Sequence, residues 1–475
     1  VHYGQIVRGG SAGGGGVGDD EDTPAFTLPP LPADGLGRIA LAHGGGTHAA
    51  RINAAFKHAS NGLLRMVLIE GDLHARLCSL KRYFLLDKGD FLVHFVDIAG
   101  SELSRRAPDI SVNKLQSLLE LALKLSTAQS DPHNEDLTCG LERQGIIHQL
   151  LSIHVTGDEP VMRGGGGGGV GGGGGARGRY DGDDGDDGLP AAMTPKEALR
   201  LTGMETFVLD YRAPWPVSLV LSRRALTKYQ LLFRHVFHCK HVERQLCAAW
   251  QTQQATRAAA AAAAGGSAGD AGCLGRAYIL SQRMLHFLQN FTYYIMCEVI
   301  EPNWHQFENA LGEAGTVDEL IDLHERFLDA CMKEGMLFWP KILRRLEQIK
   351  SVCLKFAAAS ASLAAALEPR GTRDSGTSGA ERSDGDDGEG VGQRTMSTRD
   401  RVQARLETAA AVAAAAEGTG FTAAVLRLEG EFDTQLRSLL ESLNNSAHLE
   451  PNLASLCARL DFNEFYTFGP GGKYT

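Results

Sequence analysis

The sequence lacks most of what a membrane, secreted or nucleic-acid-binding chain would need. Across its 475 residues no stretch approaches the ~18 uninterrupted apolar residues of a membrane span, and no charged-then-apolar leader opens it. Among nine cysteines there is no C-x-x-C; the closest pair, Cys239 and Cys247, is eight residues apart. Reduced thiols in a cytosolic or nuclear compartment fit that pattern, and a small disulfide scaffold is excluded. The βαβ alternation of nucleotide-binding α/β folds is missing, as is any repeat of solenoid period. A formal net charge of −10 leaves no basic footprint for nucleic acid.

What the sequence has in excess is glycine. Segments 9–37, 157–192, 254–275 and 368–398 hold 37 of its 57 glycines but only two of its 33 aromatic residues, Phe26 and Tyr180. The remainder has an ordinary globular composition, so a collagen-like or wholly disordered chain is excluded. Acid is concentrated as well. Runs at Asp19–Asp22, Asp181–Asp187 and Asp384–Glu389 carry 13 negative charges, and without them the chain is at +3. Acidic glycine runs bury no apolar area, so they are expected as solvated loops between folded blocks.

The folded blocks read as helices. Ala55, Phe56, Ala59, Leu63, Leu64, Val67 and Leu68 recur at steps of three and four, as do Leu73, Leu77, Leu80 and Phe84, then Phe91, Phe95 and Ile98. Asp109 and Ser111 are candidate caps for a stripe from Leu115 to Leu125. Longer amphipathic helices are expected over 223–252, 278–311, 316–335, 339–367, 399–416, 420–444 and 452–462. Pro302 should kink or break the second of these, and Thr316 with Glu319 forms a capping box. Alternation at Phe207, Leu209 and Tyr211, then at Val217, Leu219 and Leu221 around Pro214-Trp215-Pro216, predicts a hairpin packed on helices. The expected fold is mostly α: elongated helical bundles with one small β-hairpin and several disordered inserts rich in Gly, Ala and Asp.

Chemistry is thin. Two G-x-S-x-G matches, around Ser11 and Ser267, lie in glycine-alanine tracts with no strand before them, so neither supplies the strained elbow a hydrolase needs. The polyglycine at 164–175 is not followed by Lys-Ser or Lys-Thr, so it makes no phosphate cradle. His235, His238, Cys239 and His241 invite a metal, but their helical pairs point at different angles and a polar, part-buried helix side explains them. The sequons at Asn290 and Asn444 fall within helices. No catalytic, cofactor-binding or metal-ligating residues are assigned, and the chain is not read as an enzyme. One helix concentrates cations: Arg223, Arg224, Lys228, Arg234, Lys240 and Arg244, with Tyr229, Phe237 and Trp250 among them. A solvated face is the plain explanation. A docking strip for an acidic partner is the sharper one, because interfaces combine arginine with aromatics.

This same helix carries a resemblance. The run Arg234-His235-Val236-Phe237-His238-Cys239-Lys240-His241-Val242-Glu243-Arg244-Gln245-Leu246 resembles the gamma-tubulin complex component, or spindle pole body component, family. So do Lys81-Arg82-Tyr83-Phe84-Leu85 with Gly89-Asp90-Phe91, Trp215-Pro216-Val217-Ser218-Leu219, Glu298-Val299-Ile300-Glu301-Pro302 with Trp304, and Arg459-Leu460-Asp461-Phe462-Asn463. They stand in the family's order, and the run from Arg234 to Leu246 favours one branch over its sister, component 3. The resemblance implies a scaffold of helical bundles. Residues 1–106 would be the end of an N-terminal lateral-contact module, incomplete here if the chain, which opens on Val1, is a fragment. Residues 107–475 would be the module that binds gamma-tubulin and templates microtubule nucleation. Implied partners are gamma-tubulin, component 3 and other complex components, with no nucleic acid, membrane or cofactor. The implied location is the cytoplasm and cytoskeleton, at a microtubule-organising centre or spindle pole. Helices alone would equally suit an adaptor or tethering subunit with another partner. The six cations are the expected contacts, while the hairpin and the Phe462–Tyr466 stretch read as packing elements.

Overall fold

The computed structural model describes residues 47–155, 201–264, 272–367, 420–446 and 451–468. Within these, helix follows helix: α1 (Thr47–Arg65), a π-helical turn Met66–Glu70, α2 (Leu73–Phe84), α3 (Asp90–Leu103) and α4 (Val112–Leu125). Strand β1 (Leu137–Leu141) and α5 (Ile146–Val155) follow, then the one-turn α6 (Gly203–Thr206) and β2 (Phe207–Tyr211). The long elements come next: α7 (Arg223–Ala264), α8 (Gly272–Tyr293), a π-helical turn Tyr294–Ile300, α9 (Glu301–Leu311), α10 (Val317–Glu334), α11 (Pro340–Leu367) and α12 (Phe421–Ser446). Two short helices, α13 (Pro451–Leu460) and α14 (Phe465–Phe468), close the described chain.

Helix α7 is the axis of the core. Ser222 starts it, its Oγ accepting the Ala225 N–H at 3.2 Å. At 42 residues it is about 63 Å long. Helices α8, α10 and α11 and strand β2 all pack on it, and α11 packs in turn on α12. An aromatic chain ties the N-terminal helices to this axis. Phe84 of α2 meets Tyr229 and Phe233, Phe95 of α3 stacks on Phe207 at 4.9 Å, and Phe207 meets Phe233 and Phe237. Packing is therefore continuous on both sides of residue 106. Helix α11 is long and apolar enough to cross a membrane by length and composition. In the fold it lies between α7 and α12 with Lys350 buried along it.

The expected hairpin is corrected. The two-stranded antiparallel sheet pairs β2 with β1, Leu137 opposite Tyr211 and Leu141 opposite Phe207, and not with 217–221. Residues Val217–Leu219 form a 3-10 turn. Val217, Val220 and Leu221 are the buried members of that run, a helical spacing, while Leu219 faces out. The partner strand, Leu-Thr-Cys-Gly-Leu, carries little β signal of its own. Pro302 neither breaks nor ends its helix. It occupies the first turn of α9, where its missing N–H costs little, and the wide π turn just before it absorbs the change of ladder. The insert expected at 254–275 is shorter than read, since α7 continues to Ala264 and α8 begins at Gly272. Thr316 caps α10 as expected, accepting the Glu319 N–H at 3.2 Å, but Glu319 turns back to the Gly315 N–H. A reciprocal capping box stands instead at Thr202 and Glu205, opening α6. The helix expected at 399–416, the segments 9–37 and 157–192, all of 368–398 and both G-x-S-x-G serines lie outside the described residues.

One glycine is fixed by close approach. The backbone of Gly203 crosses the end of α3, donating to Arg105 O at 2.9 Å. A Cβ there would fall 2.5 Å from Ile110 Cδ1 and 2.8 Å from Leu103 O. Gly203→Ala is expected to cost about 1–3 kcal/mol in urea unfolding. Gly62→Ala, in open space on α1, is expected to cost nothing or to stabilise slightly.

Candidate functional site

From Ala225 to Cys239 helix α7 is buried almost all round, so its six cations leave the axis into quite different surroundings. Arg223 is exposed and donates to both carboxylate oxygens of Asp210 at 2.9 Å, and Arg224 is exposed beside it. Lys228 is buried, its ammonium 2.6 Å from Asp329 of α10. Arg234 is buried too. It donates to Gln144 O at 2.7 Å, to Glu205 O at 2.9 Å and to the Gln149 side chain. Lys240 pairs with Glu243 at 3.1 Å, one turn along, and Arg244 pairs with Asp97 of α3. A single cationic strip therefore does not form. Lys228 and Arg234 are internal struts, because the apolar face of α7 extends right round the helix and carries them inside. Arg223, Arg224, Lys240 and Arg244 remain at the surface.

Lys240 and Arg244 stand at the rim of a groove of about 540 Å³ between α3 and α7. Leu92, Val93, Val96, Phe237, Cys247 and Met296 make its apolar wall. Exposed ion pairs of this kind hold little energy, so the rim cations can be lent to a partner. His241 also faces the groove. Burial lowers its imidazole to about 4, so it is neutral at pH 7.

The histidine-cysteine cluster is resolved into separate roles. His235 is buried edge-on to Phe291, and burial lowers it to about 3. His238 Nδ1 lies 3.2 Å from Glu347 of α11, and Glu347 lies 2.5 Å from the buried Lys350 ammonium. Cys239 is buried, which raises its thiol. Among the described residues no three His, Cys, Asp or Glu side chains converge as a metal would need. The trio of His238, Glu347 and Lys350 is the feature that sequence reading missed. Its visible trace was an i, i+3 Glu-Lys pair, which usually marks an exposed helix face.

Near the end of the described chain, Asp461 accepts the Tyr466 and Thr467 N–H groups at 2.9 Å each. Tyr466 Oη accepts from Arg283 Nε at 2.9 Å, but the expectation of a packing element is corrected for the rest of the stretch: Phe462, Asn463, Glu464 and Phe465 are exposed, and Tyr466 alone is half-buried.

Comparison with known proteins gives consistent matches. The family described as "Gamma tubulin complex component C-terminal" matches residues 73–466. Gamma-tubulin complex component 2 of Mus musculus is 36% identical over 431 residues, covering 88% of this chain and 42% of the relative. Gamma-tubulin complex component 2 of Arabidopsis thaliana is 40% identical over 309 residues, 65% of this chain and 39% of the relative. Gamma-tubulin complex component 3 of Arabidopsis thaliana is 26% identical over 290 residues, 60% of this chain and 28% of the relative. The chain thus spans about two fifths of the length of the component 2 relatives it matches.

Proposed function

The chain belongs to the gamma-tubulin complex component family, and from that premise we propose that it is a scaffold subunit that binds gamma-tubulin and templates microtubule nucleation. Residues 107–475 are the gamma-tubulin-binding part, and residues 1–106 are the end of the module that contacts neighbouring components, component 3 among them. The protein works in the cytoplasm at a microtubule-organising centre or spindle pole. The observation that supports the scaffold reading most is extent: the family match runs from the start of α2 into α14. Physical reasoning agrees. Holding several tubulin-like subunits in place prepays part of the translational and rotational entropy that opposes the first steps of a polymer. That task needs stiff helices at fixed spacing rather than a reacting group.

The surface cations Lys240 and Arg244 are the contacts we assign to gamma-tubulin. Purified chain immobilised on beads should retain gamma-tubulin. The double variant Lys240→Glu, Arg244→Glu should slow association about tenfold and steepen no helix loss by circular dichroism. Unchanged capture by that variant would return these two residues to a solvated face. A chain that retains no gamma-tubulin at all would sink the scaffold reading and favour an adaptor with another partner.

A further inference from the structure

A different surface precedes α7. Between β2 and α7 the chain folds into a compact turn, with Ser218 N donating to Pro214 O at 3.0 Å, Leu219 N to Pro216 O at 3.1 Å and Leu221 N to Val217 O at 2.9 Å. Val217, Val220 and Leu221 are buried and anchor it. Val217 is wedged so tightly that a Cβ on Gly71 would come within 2.5 Å of its Cγ2. The turn is therefore held firmly, yet it presents its largest side chain outward. Trp215 is 65% exposed and Leu219, four residues on, is 39% exposed. Arg212, Arg223 and Arg224, within nine residues of Trp215 along the chain, are exposed too. Asp210 is matched by Arg223, which leaves Arg212 and Arg224 in excess. An exposed tryptophan on a firmly anchored turn, flanked along the chain by exposed arginines, has the composition of a binding hot spot, and the local charge selects an acidic occupant.

We propose that this turn docks an acidic peptide segment of a partner protein, an apolar side chain of the peptide resting on Trp215 and Leu219 while its carboxylates meet the arginines. Exposed Arg223–Asp210 pairing is cheap to exchange for a new carboxylate. A phosphate polymer or an anionic bilayer suits the surface less well. Three guanidiniums make no polybasic patch, and the chain as a whole carries −10. The surface is also separate from the Lys240–Arg244 rim. Arg224 and Lys240 are about 24 Å apart along α7 and about 160° apart around it, so one small partner does not cover both.

The test uses the full chain and a fluorescein-labelled dodecapeptide of glutamates around a central Phe-x-x-Leu. A lysine-for-glutamate version, phosphatidylserine vesicles and a single-stranded RNA oligomer serve as competitors. The acidic peptide is expected to bind saturably at one site and to weaken as salt is raised. Trp215→Ala, Leu219→Ser, and the double variant Arg223→Glu, Arg224→Glu are each expected to weaken it about tenfold or more. Trp215 is the most exposed of the described tryptophans, Trp304 being buried and Trp250 and Trp339 half-buried, so bound peptide should shield the protein's fluorescence from acrylamide. Binding that never saturates at millimolar peptide overturns the proposal. So does binding unchanged in all three variants, or tighter binding of the vesicles or RNA. Gamma-tubulin capture by Trp215→Ala, measured alongside, should be normal, which separates failure here from failure of the scaffold reading.

Discussion

Glu347→Ala is expected to destabilise the protein by about 3 kcal/mol, because it strands a buried ammonium. Lys350 is 1% exposed, and Glu347 is the ion partner that faces it. Desolvation alone would pull the Lys350 pKa down; the Glu347 carboxylate reverses that and holds it above the ordinary value. For Glu347, burial pushes upward, and the Lys350 ammonium and then His238 hold the carboxyl well below the usual carboxylate range. Each charge is thus kept by the other at the α7–α11 seam. A double variant, Glu347→Gln with Lys350→Met, removes both charges and keeps the volume. It is expected to recover most of the loss, since well-packed neutral residues often match a buried ion pair. Urea midpoints of the wild type, Glu347→Gln, Lys350→Met and the double variant measure the coupling. Additive losses would show that the two residues act independently and overturn the account.

The acid limb gives a second readout of the same pair. A carboxyl depressed in the folded state contributes stability that is fully present above its unfolded pKa, about 4.3, and is lost as pH falls through the lower folded value. Three buried imidazoles act at higher pH. His235 lies at about 3, His241 at about 4 and His324 at about 4, lowered by burial in each case. Protons bind them more readily in the unfolded chain, so stability should start to fall below about pH 6.5 and continue toward pH 4. Glu347→Ala should lessen the loss below pH 4.3, where Asp90 and Glu102, also held low, still contribute, and leave the slope from His241 and His324 in place.

How much of this was legible in the sequence differs by element. The helices at Leu73–Phe84, Val317–Glu334 and Phe421–Ser446 were visible because each buries one stripe, and a stripe repeats at the helical period. Helix α7 was visible as a helix but not as an axis. With Tyr229, Leu231, Phe233 and Val236 all buried, its apolar residues surround it, and periodicity no longer says which cations face water. The sheet was half legible. Phe207–Tyr211 alternates, but its partner lies far upstream in a glycine-bearing strand whose place is set by packing on α4 and by Arg212 N donating to Asp136 O at 2.9 Å. The family resemblance rested on runs such as Arg234–Leu246, where strut, seam and rim residues are interleaved. Such a run identifies relatives well and sorts roles poorly.

Arg234 is the residue on which that sorting is decided. Read as a docking cation, it should tolerate methionine in stability and lose partner binding. Read from the structure, the outcome is reversed. Its guanidinium gathers the Gln144 carbonyl from the loop before α5, the Glu205 carbonyl from α6 and the Gln149 side chain from α5, joining three segments to α7. Arg234→Met leaves two part-buried carbonyls without their guanidinium donor, and the expected loss is about 2 kcal/mol. Arg234→Lys should recover less than half of it, because one ammonium cannot reproduce a planar fork aimed at three acceptors. Reversing Lys240 and Arg244, by contrast, should change stability by less than about 1 kcal/mol, as exposed pairs do. Hydrogen exchange locates the damage: the amides of β2 and of α5 should open first in Arg234→Met, while those of α12 keep their protection. If Arg234→Met unfolds at the wild-type midpoint, the strut assignment is wrong and the residue belongs with the surface cations after all.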